Sequence, residues 1–194
     1  LNRLGFNNKG LDYLLENLKA KKSGVIVGTS IGKNFDTPNE KAFEDYLLCL
    51  EKVYEHSDYI AVNISSPNTI GLRELSNNEL LDSLLQKIKS KQKSLASMFG
   101  YKPILIKISP DEIFDDLKII CNSVIANELD GIICSNTTIN HNNKNGPGGL
   151  SGEPLKEKAI SSLKFVKSLV GDKLTIIASG GLMSVADYQD RIGA

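Results

Sequence analysis

The chain has 194 residues, and its 23 lysines and arginines balance 23 aspartates and glutamates, so bulk charge draws it to no polyanionic partner such as a nucleic acid. A content of 41% hydrophobic and 24% charged residues is that of a soluble globular protein with room for one sizeable core. Cys49, Cys121 and Cys134 stand far apart and form no ligand cluster with His56 and His141, which excludes a sequence-evident metal site and fits reduced thiols in a cytosolic-type compartment. No apolar run approaches a membrane span, and no signal peptide opens the chain. The start at Leu1 and the finish on Arg191-Ile192-Gly193-Ala194 read as ends cut from something longer.

In chain order, residues 9–20 make an amphipathic helical segment, and the first strand candidate follows at 25–29. Thr37-Pro38-Asn39-Glu40 then offers a helix cap, a proline at the first helical position and a glutamate at the third. A second strand is predicted at 59–64, and Ser76-Asn77-Asn78-Glu79 is another capping box, leading into Leu80, Leu81, Leu84, Leu85 and Ile88 on one helical face. The basic run from Lys87 to Lys93 lies late in that helix and reads as a solvated face. Further strands are predicted at 104–108, 131–135 and 175–179, with helices opening at Asp111, Pro154 and Ser184. The strands are nearly continuous apolar stretches, as strands buried on both faces of a parallel sheet are.

Alternating strands and helices predict right-handed βαβ units. A doubly wound open sheet and a barrel both fit that periodicity. No GxGxxG follows the first strand, whereas a polar signature follows each of them, and in a barrel those loops converge on one mouth. The reading is therefore an α/β fold, a (β/α)8 TIM barrel of which residues 1–194 supply about five central units as a partial catalytic domain.

The richest of these loops is Asn63-Ile64-Ser65-Ser66-Pro67-Asn68-Thr69-Ile70-Gly71-Leu72-Arg73, a crowd of small hydrogen-bonding side chains where a buried strand ends. Alone it reads as a Ser/Asn/Pro turn; as a site, it suits a flat, heteroatom-rich ligand. Lys107 is a lone ammonium in an apolar strand, so it faces either an electron-rich cofactor or a carboxylate such as Asp111. The glycines of Gly148-Gly149-Leu150-Ser151-Gly152 and of Gly180-Gly181 lead into helices and can present backbone N–H groups to a phosphate. Ser135-Asn136-Thr137-Thr138 and Asn2-Arg3-Leu4-Gly5-Phe6-Asn7-Asn8 add uncharged donors and acceptors, for which a pyrimidine-like ring is a sensible partner.

Those segments, together with Ile31-Gly32-Lys33-Asn34 and Lys107-Ile108-Ser109-Pro110-Asp111, occur in an order that covers the whole chain, and in that combination it resembles the class 2 dihydroorotate dehydrogenases, FMN-dependent enzymes that reduce a quinone. The resemblance implies oxidation of dihydroorotate to orotate in pyrimidine biosynthesis, with Ser66 as the base where class 1 relatives place a cysteine. It implies that Asn63, Asn68, Asn136 and Thr137 hold the substrate, with Asn2, Arg3, Leu4, Gly5 and Phe6 closing over it. For FMN it implies Lys107 near the N1/O2 edge of the ring, contacts from Ser30, Asn63 and Ser135, and a phosphate region held by Gly152 and Gly181 with Ser151 as a helper.

At Ser30 the family usually has asparagine, so a direct contact there gives way to a shorter side chain that a water would have to bridge. The resemblance also implies two earlier strands, a last strand and a membrane-associating, quinone-entry segment outside these residues. The segment alone would then be soluble and inactive. The parent protein would sit peripherally on the cytoplasmic face of the inner membrane in a bacterium, or on the mitochondrial inner membrane in a eukaryote. Two alternatives stay open: an FMN-dependent pyrimidine oxidoreductase with a soluble acceptor, and a flavin-binding module without catalysis.

Overall fold

The computed structural model describes residues 1–5, 7–22, 24–66 and 78–194. Five strands, β1 (Gly28–Ile31), β2 (Tyr59–Asn63), β3 (Ile104–Lys107), β4 (Gly131–Cys134) and β5 (Thr175–Ala178), pair in parallel in the order β1-β2-β3-β4-β5. Helices α1 (Leu11–Lys19), α2 (Ala42–Val53), α3 (Asn78–Phe99), α4 (Phe114–Ala126), α5 (Lys156–Val170) and α6 (Val185–Ile192) alternate with them. Consecutive strand order, with no reversal, places every right-handed crossover on the same face of the sheet. Accordingly α1 packs on α2, α2 on α3, α3 on α4 and α4 on α5. A doubly wound sheet needs a point where the order reverses, and these five strands have none, so the fold is the barrel type.

The two faces of the sheet carry different residues. Ile60, Val62, Ile104, Ile106 and Ile132 face the helices and join Leu50, Val53, Leu85, Ile88, Ile120, Val124 and Val166 in one large core. Among the described residues the inner face holds a smaller cluster, Ala61, Leu105 and Ile133 with Tyr59. Continuous burial holds for the central strands but not for β1 and β5, whose inward residues are more exposed than the predicted two-sided burial requires.

Strand β1 begins three residues later than predicted. Its partner starts at Tyr59, opposite Gly28, and the Val27 N–H is taken by the Asp58 carboxylate at 2.7 Å instead of by a ladder. Val25 and Ile26 are left exposed. Gly28 is required at the crossing because a Cβ there would lie 2.0 Å from the Tyr59 ring.

The predicted cap at Thr37 is also corrected. Pro38, at φ −60° and ψ 150°, occupies the capping position itself, with no side-chain cap, and a short 3-10 turn (Asn39–Lys41) leads into α2. Thr37 offers its carbonyl to the Lys33 ammonium at 2.6 Å instead. Asp111 does not open α4, which starts at Phe114, and Pro154 lies in a 3-10 turn (Glu153–Leu155) ahead of α5. Ser184 caps α6 as predicted, its Oγ accepting from the Asp187 N–H at 3.2 Å. The capping box at Ser76 lies outside the described residues apart from its last two positions.

Candidate functional site

Strand register stacks the inward side chains in rows. Ser30, Ala61, Leu105, Gly131 and Thr175 form one row, and Asn63, Lys107, Ile133 and Ile177 form the next row towards the strand C-termini. The polar and charged members thus gather at the end where barrel enzymes build their sites.

Asn63 organises that end. Its Oδ1 accepts from the Ser65 N–H at 3.2 Å, from Ser65 Oγ at 3.3 Å and from Asn136 Nδ2 at 3.3 Å, which fixes the amide orientation, with Nδ2 as the donor at its other end. Ser65 Oγ donates to the Lys107 carbonyl at 2.8 Å and accepts from Asn136 Nδ2 at 3.1 Å. One network therefore joins the ends of β2, β3 and β4. Tyr46 of α2, fully buried, supports it from behind by donating to the Asn63 carbonyl at 2.8 Å while accepting from the Lys33 N–H. Ser66 follows immediately and is buried.

Lys107 is half-buried, and burial pulls its pKa down; no ion-pair partner for it exists among the described residues. The carboxylate reading fails because Asp111 is committed elsewhere. It accepts from Lys158 Nζ at 2.7 Å, the Ile139 N–H at 2.9 Å and the Thr138 hydroxyl. That leaves an ammonium in the inner row beside Asn63, suited to an electron-rich partner.

The remaining candidate residues fall into two groups around this centre. Asn2 pairs with Gly149 through two backbone hydrogen bonds of 2.8 and 2.7 Å, and Thr138 pairs with Leu150. Arg3 donates Nε to the Pro147 carbonyl at 2.7 Å and Nη2 to that of Asn145, so its guanidinium ties down the loop after β4. Leu4 and Gly5 are exposed beside it. Asn136 and Thr137 precede Thr138 at the end of β4, and the Thr137 N–H binds Asn136 Oδ1 at 2.9 Å. Both ends of the Asn136 amide are thus spent within the network. Phe6 and Asn68 lie outside the described residues.

In the second group, Ser135 is buried and its N–H donates to the Ser179 carbonyl at 2.9 Å, while Ser30 and Ser151 are exposed. Gly152 (φ 77°) ends the loop before the 3-10 turn, and Gly181 (φ 68°) lies so close to the start of α5 that a Cβ would sit 2.7 Å from Lys156 N. The two glycine loops meet there. Glycine backbone at the start of α5, in line with an ammonium that has no counter-charge among the described residues, is a donor set that could hold a phosphorylated, electron-rich cofactor.

Residues 1–194 match the family model described as dihydroorotate dehydrogenase from end to end. The chain belongs to the dihydroorotate dehydrogenase family. Proteins named dihydroorotate dehydrogenase (quinone) from Shewanella woodyi and Shewanella loihica are 49% and 50% identical over 201 residues, and one from Vibrio parahaemolyticus is 46% identical. The alignments take in 100% of this chain and 59–60% of those proteins, so the chain spans about three-fifths of the length of these curated relatives. A crystal structure of the Eimeria tenella dihydroorotate dehydrogenase with ferulenol superposes with a TM-score of 0.91 at 30% identity, covering 99% of this chain and 58% of that one. The ligand-free form of the Eimeria tenella enzyme gives 0.89 at 32% identity, covering 99% and 60%.

Two residues that brace this end of the sheet carry no motif: Tyr46 and Lys158 act through tertiary contacts that local patterns do not announce. Asp187 had a local signal, since Ser184 and Asp187 are spaced as a capping pair.

Proposed function

We propose that the protein is a quinone-dependent dihydroorotate dehydrogenase that oxidises dihydroorotate to orotate with FMN in pyrimidine biosynthesis and passes the electrons to a quinone. The observation that carries the reading is the hydrogen-bonded cluster of Asn63, Ser65 and Asn136, set between buried Ser66 and the uncompensated Lys107. Bound FMN would supply the hydride acceptor. Ser66 would take the proton from the carbon next to the one that gives up hydride. A serine hydroxyl is a poor base in water, so its burial and a relay partner in the same loop must carry the proton away. Asn63, with Nδ2 left as a donor, would hold a carbonyl edge of the pyrimidine, and Asn68 and Thr137 the other polar edges.

Asn136 would contribute by orienting Asn63, and by direct contact once substrate displaces one of its bonds. The strap from Asn2 to Phe6 would cover the ring and keep water out. Lys107 would stabilise negative charge on the reduced ring, Ser135 and Ser30 would line it, and Gly152, Gly181 and Ser151 would hold the phosphate. No described helix is long and apolar enough to cross a membrane. Association with the inner membrane is part of the proposal and would be peripheral, through a segment beyond these residues.

The test uses the full-length protein. It should purify with a flavin spectrum that dihydroorotate bleaches anaerobically and a quinone restores. Ser66→Ala should slow bleaching about 10²- to 10⁴-fold, the usual worth of a positioned base, with flavin retained. A bound flavin that dihydroorotate cannot bleach refutes the reading.

A further inference from the structure

Two buried charges on α6 lie behind the glycine loops, outside the network described above. Arg191 and Asp187 are one helical turn apart, and both are more than nine-tenths buried. Arg191 Nη2 donates to two carbonyls at once, Lys156 O at 3.2 Å and Gly180 O at 3.1 Å. One guanidinium nitrogen therefore bridges the first residue of α5 and the first glycine of the turn after β5. Its Nη1 is buried with no hydrogen-bond partner among the described residues. Asp187 clamps the same junction from the other side. It forms an ion pair with the Lys156 ammonium and accepts from the Met183 N–H and Ser184 Oγ, each at 2.9 Å, which hold its carboxyl far below the usual carboxylate range.

A guanidinium buried against two neutral carbonyls, with one nitrogen unpartnered, is a costly arrangement for stability alone. The cost has a rationale if an anion sits just beyond the loops that it holds. Gly181 sits directly on the α5 backbone, since a Cβ there would lie 2.5 Å from Lys156 Cα and 2.7 Å from Lys156 N, while Gly180 lies against the end of the Leu155 side chain. The spacing of the two loops is thus set by backbone contact and locked by Arg191.

We propose that Arg191 is a positioning residue for the cofactor phosphate: it fixes the α5 N-terminus against the Gly180-Gly181 turn so that both backbones converge on one phosphate dianion, and its buried charge favours that dianion. The inference rests on the FMN reading above and concerns only the phosphate end of the site. Arg191 touches the loops and not the reacting atoms.

The test is flavin selectivity. Full-length protein stripped of cofactor is titrated with FMN and with riboflavin, which lacks the phosphate, and binding is followed by quenching of flavin fluorescence. Arg191→Met should weaken FMN binding about 10- to 100-fold, the range for a charged hydrogen-bonding group, and leave riboflavin binding nearly unchanged. Arg191→Lys keeps the charge but spans only one carbonyl, and should lose part of that selectivity. The ratio of the two affinities is read on folded protein only, so a partly unfolded variant still reports it. If Arg191→Met does not fold, Arg191→Lys carries the test. Selectivity equal to wild type in the variants overturns the role of Arg191 and leaves the FMN reading intact. A wild-type protein that binds the two flavins equally overturns the phosphate site itself.

Discussion

Lys107 is where the chemistry of a single side chain weighs most on the whole molecule. Burial lowers its pKa and no described carboxylate offsets the cost, so the charge burdens the fold, a cost that the proposed role beside the cofactor would explain. Between the depressed folded value and the ordinary lysine value the unfolded chain binds more protons, so this residue makes stability rise with pH across that alkaline window. Lys107→Met should abolish its share of the rise, which denaturant titrations of wild type and variant at matched pH values would show as a difference. The same variant should be no less stable at neutral pH. Its flavin should nevertheless be bleached by dihydroorotate about 100-fold more slowly, as when one preorganised electrostatic group is removed. A variant that loses stability at neutral pH and keeps the wild-type bleaching rate would contradict this account. Ser66, three residues beyond Asn63, offers no comparable pH signature, because a serine hydroxyl does not titrate in the accessible range.

At the scale of elements, the active end of the sheet depends on a helix that never reaches it. Tyr46 of α2 links the Lys33 N–H after β1 to the Asn63 carbonyl at the end of β2, and burial raises its phenol pKa. Tyr46→Phe leaves both backbone groups buried without that partner, which costs about 1–3 kcal/mol. For a chain of this size that is a fall of very roughly 2–10 °C in Tm by calorimetry. Because Asn63 would then be less firmly held, dihydroorotate affinity should drop as well; an unchanged KM alongside the lower Tm would confine Tyr46 to stability. The central strands were legible in the sequence because helices and neighbouring strands bury them, and burial writes itself as unbroken apolar runs. The start of β1 was not, since its register is decided by Tyr59 and Asp58, some thirty residues away. Asn63, Ser66, Lys107 and Asn136 could be read as candidates because polar side chains at the ends of apolar strands are conspicuous. The sequence left Lys107 between a cofactor and a carboxylate such as Asp111, because Lys158, the partner of Asp111 on α5, is invisible to local spacing. Arg191 was missed for the same reason: its acceptors are carbonyls, which no residue type reveals.

The whole sheet has one well-covered face and one thinly filled one. Helices bury the outer core, whereas the inner face carries a small apolar cluster of Ala61, Leu105, Ile133 and Tyr59 among the described residues, with Ile177 exposed beside it. β1 and β5 are edges, each with one paired side among the described residues. Around β5, Ile177, Leu182, Met183, Val185 and Ile192 are exposed, next to an apolar groove of about 580 Å³ lined by Leu163, Leu174, Ile176 and Tyr188. Unpaired parallel edges and apolar patches of this kind favour association. Produced by itself, the 194-residue chain should therefore bind a hydrophobic dye, grow in mean mass with concentration during sedimentation, and bind flavin weakly. The helix-covered core is large enough that helical content should survive in these assemblies, so circular dichroism should stay native-like while dye binding is high. Charging one edge tests the cause: Thr175→Lys places an ammonium on the exposed side of β5 without touching the large core, and it should shift the mass distribution towards monomer. A chain that stays monomeric, excludes the dye and melts in one sharp transition would mean that the inner face needs no cover to hold the five strands together.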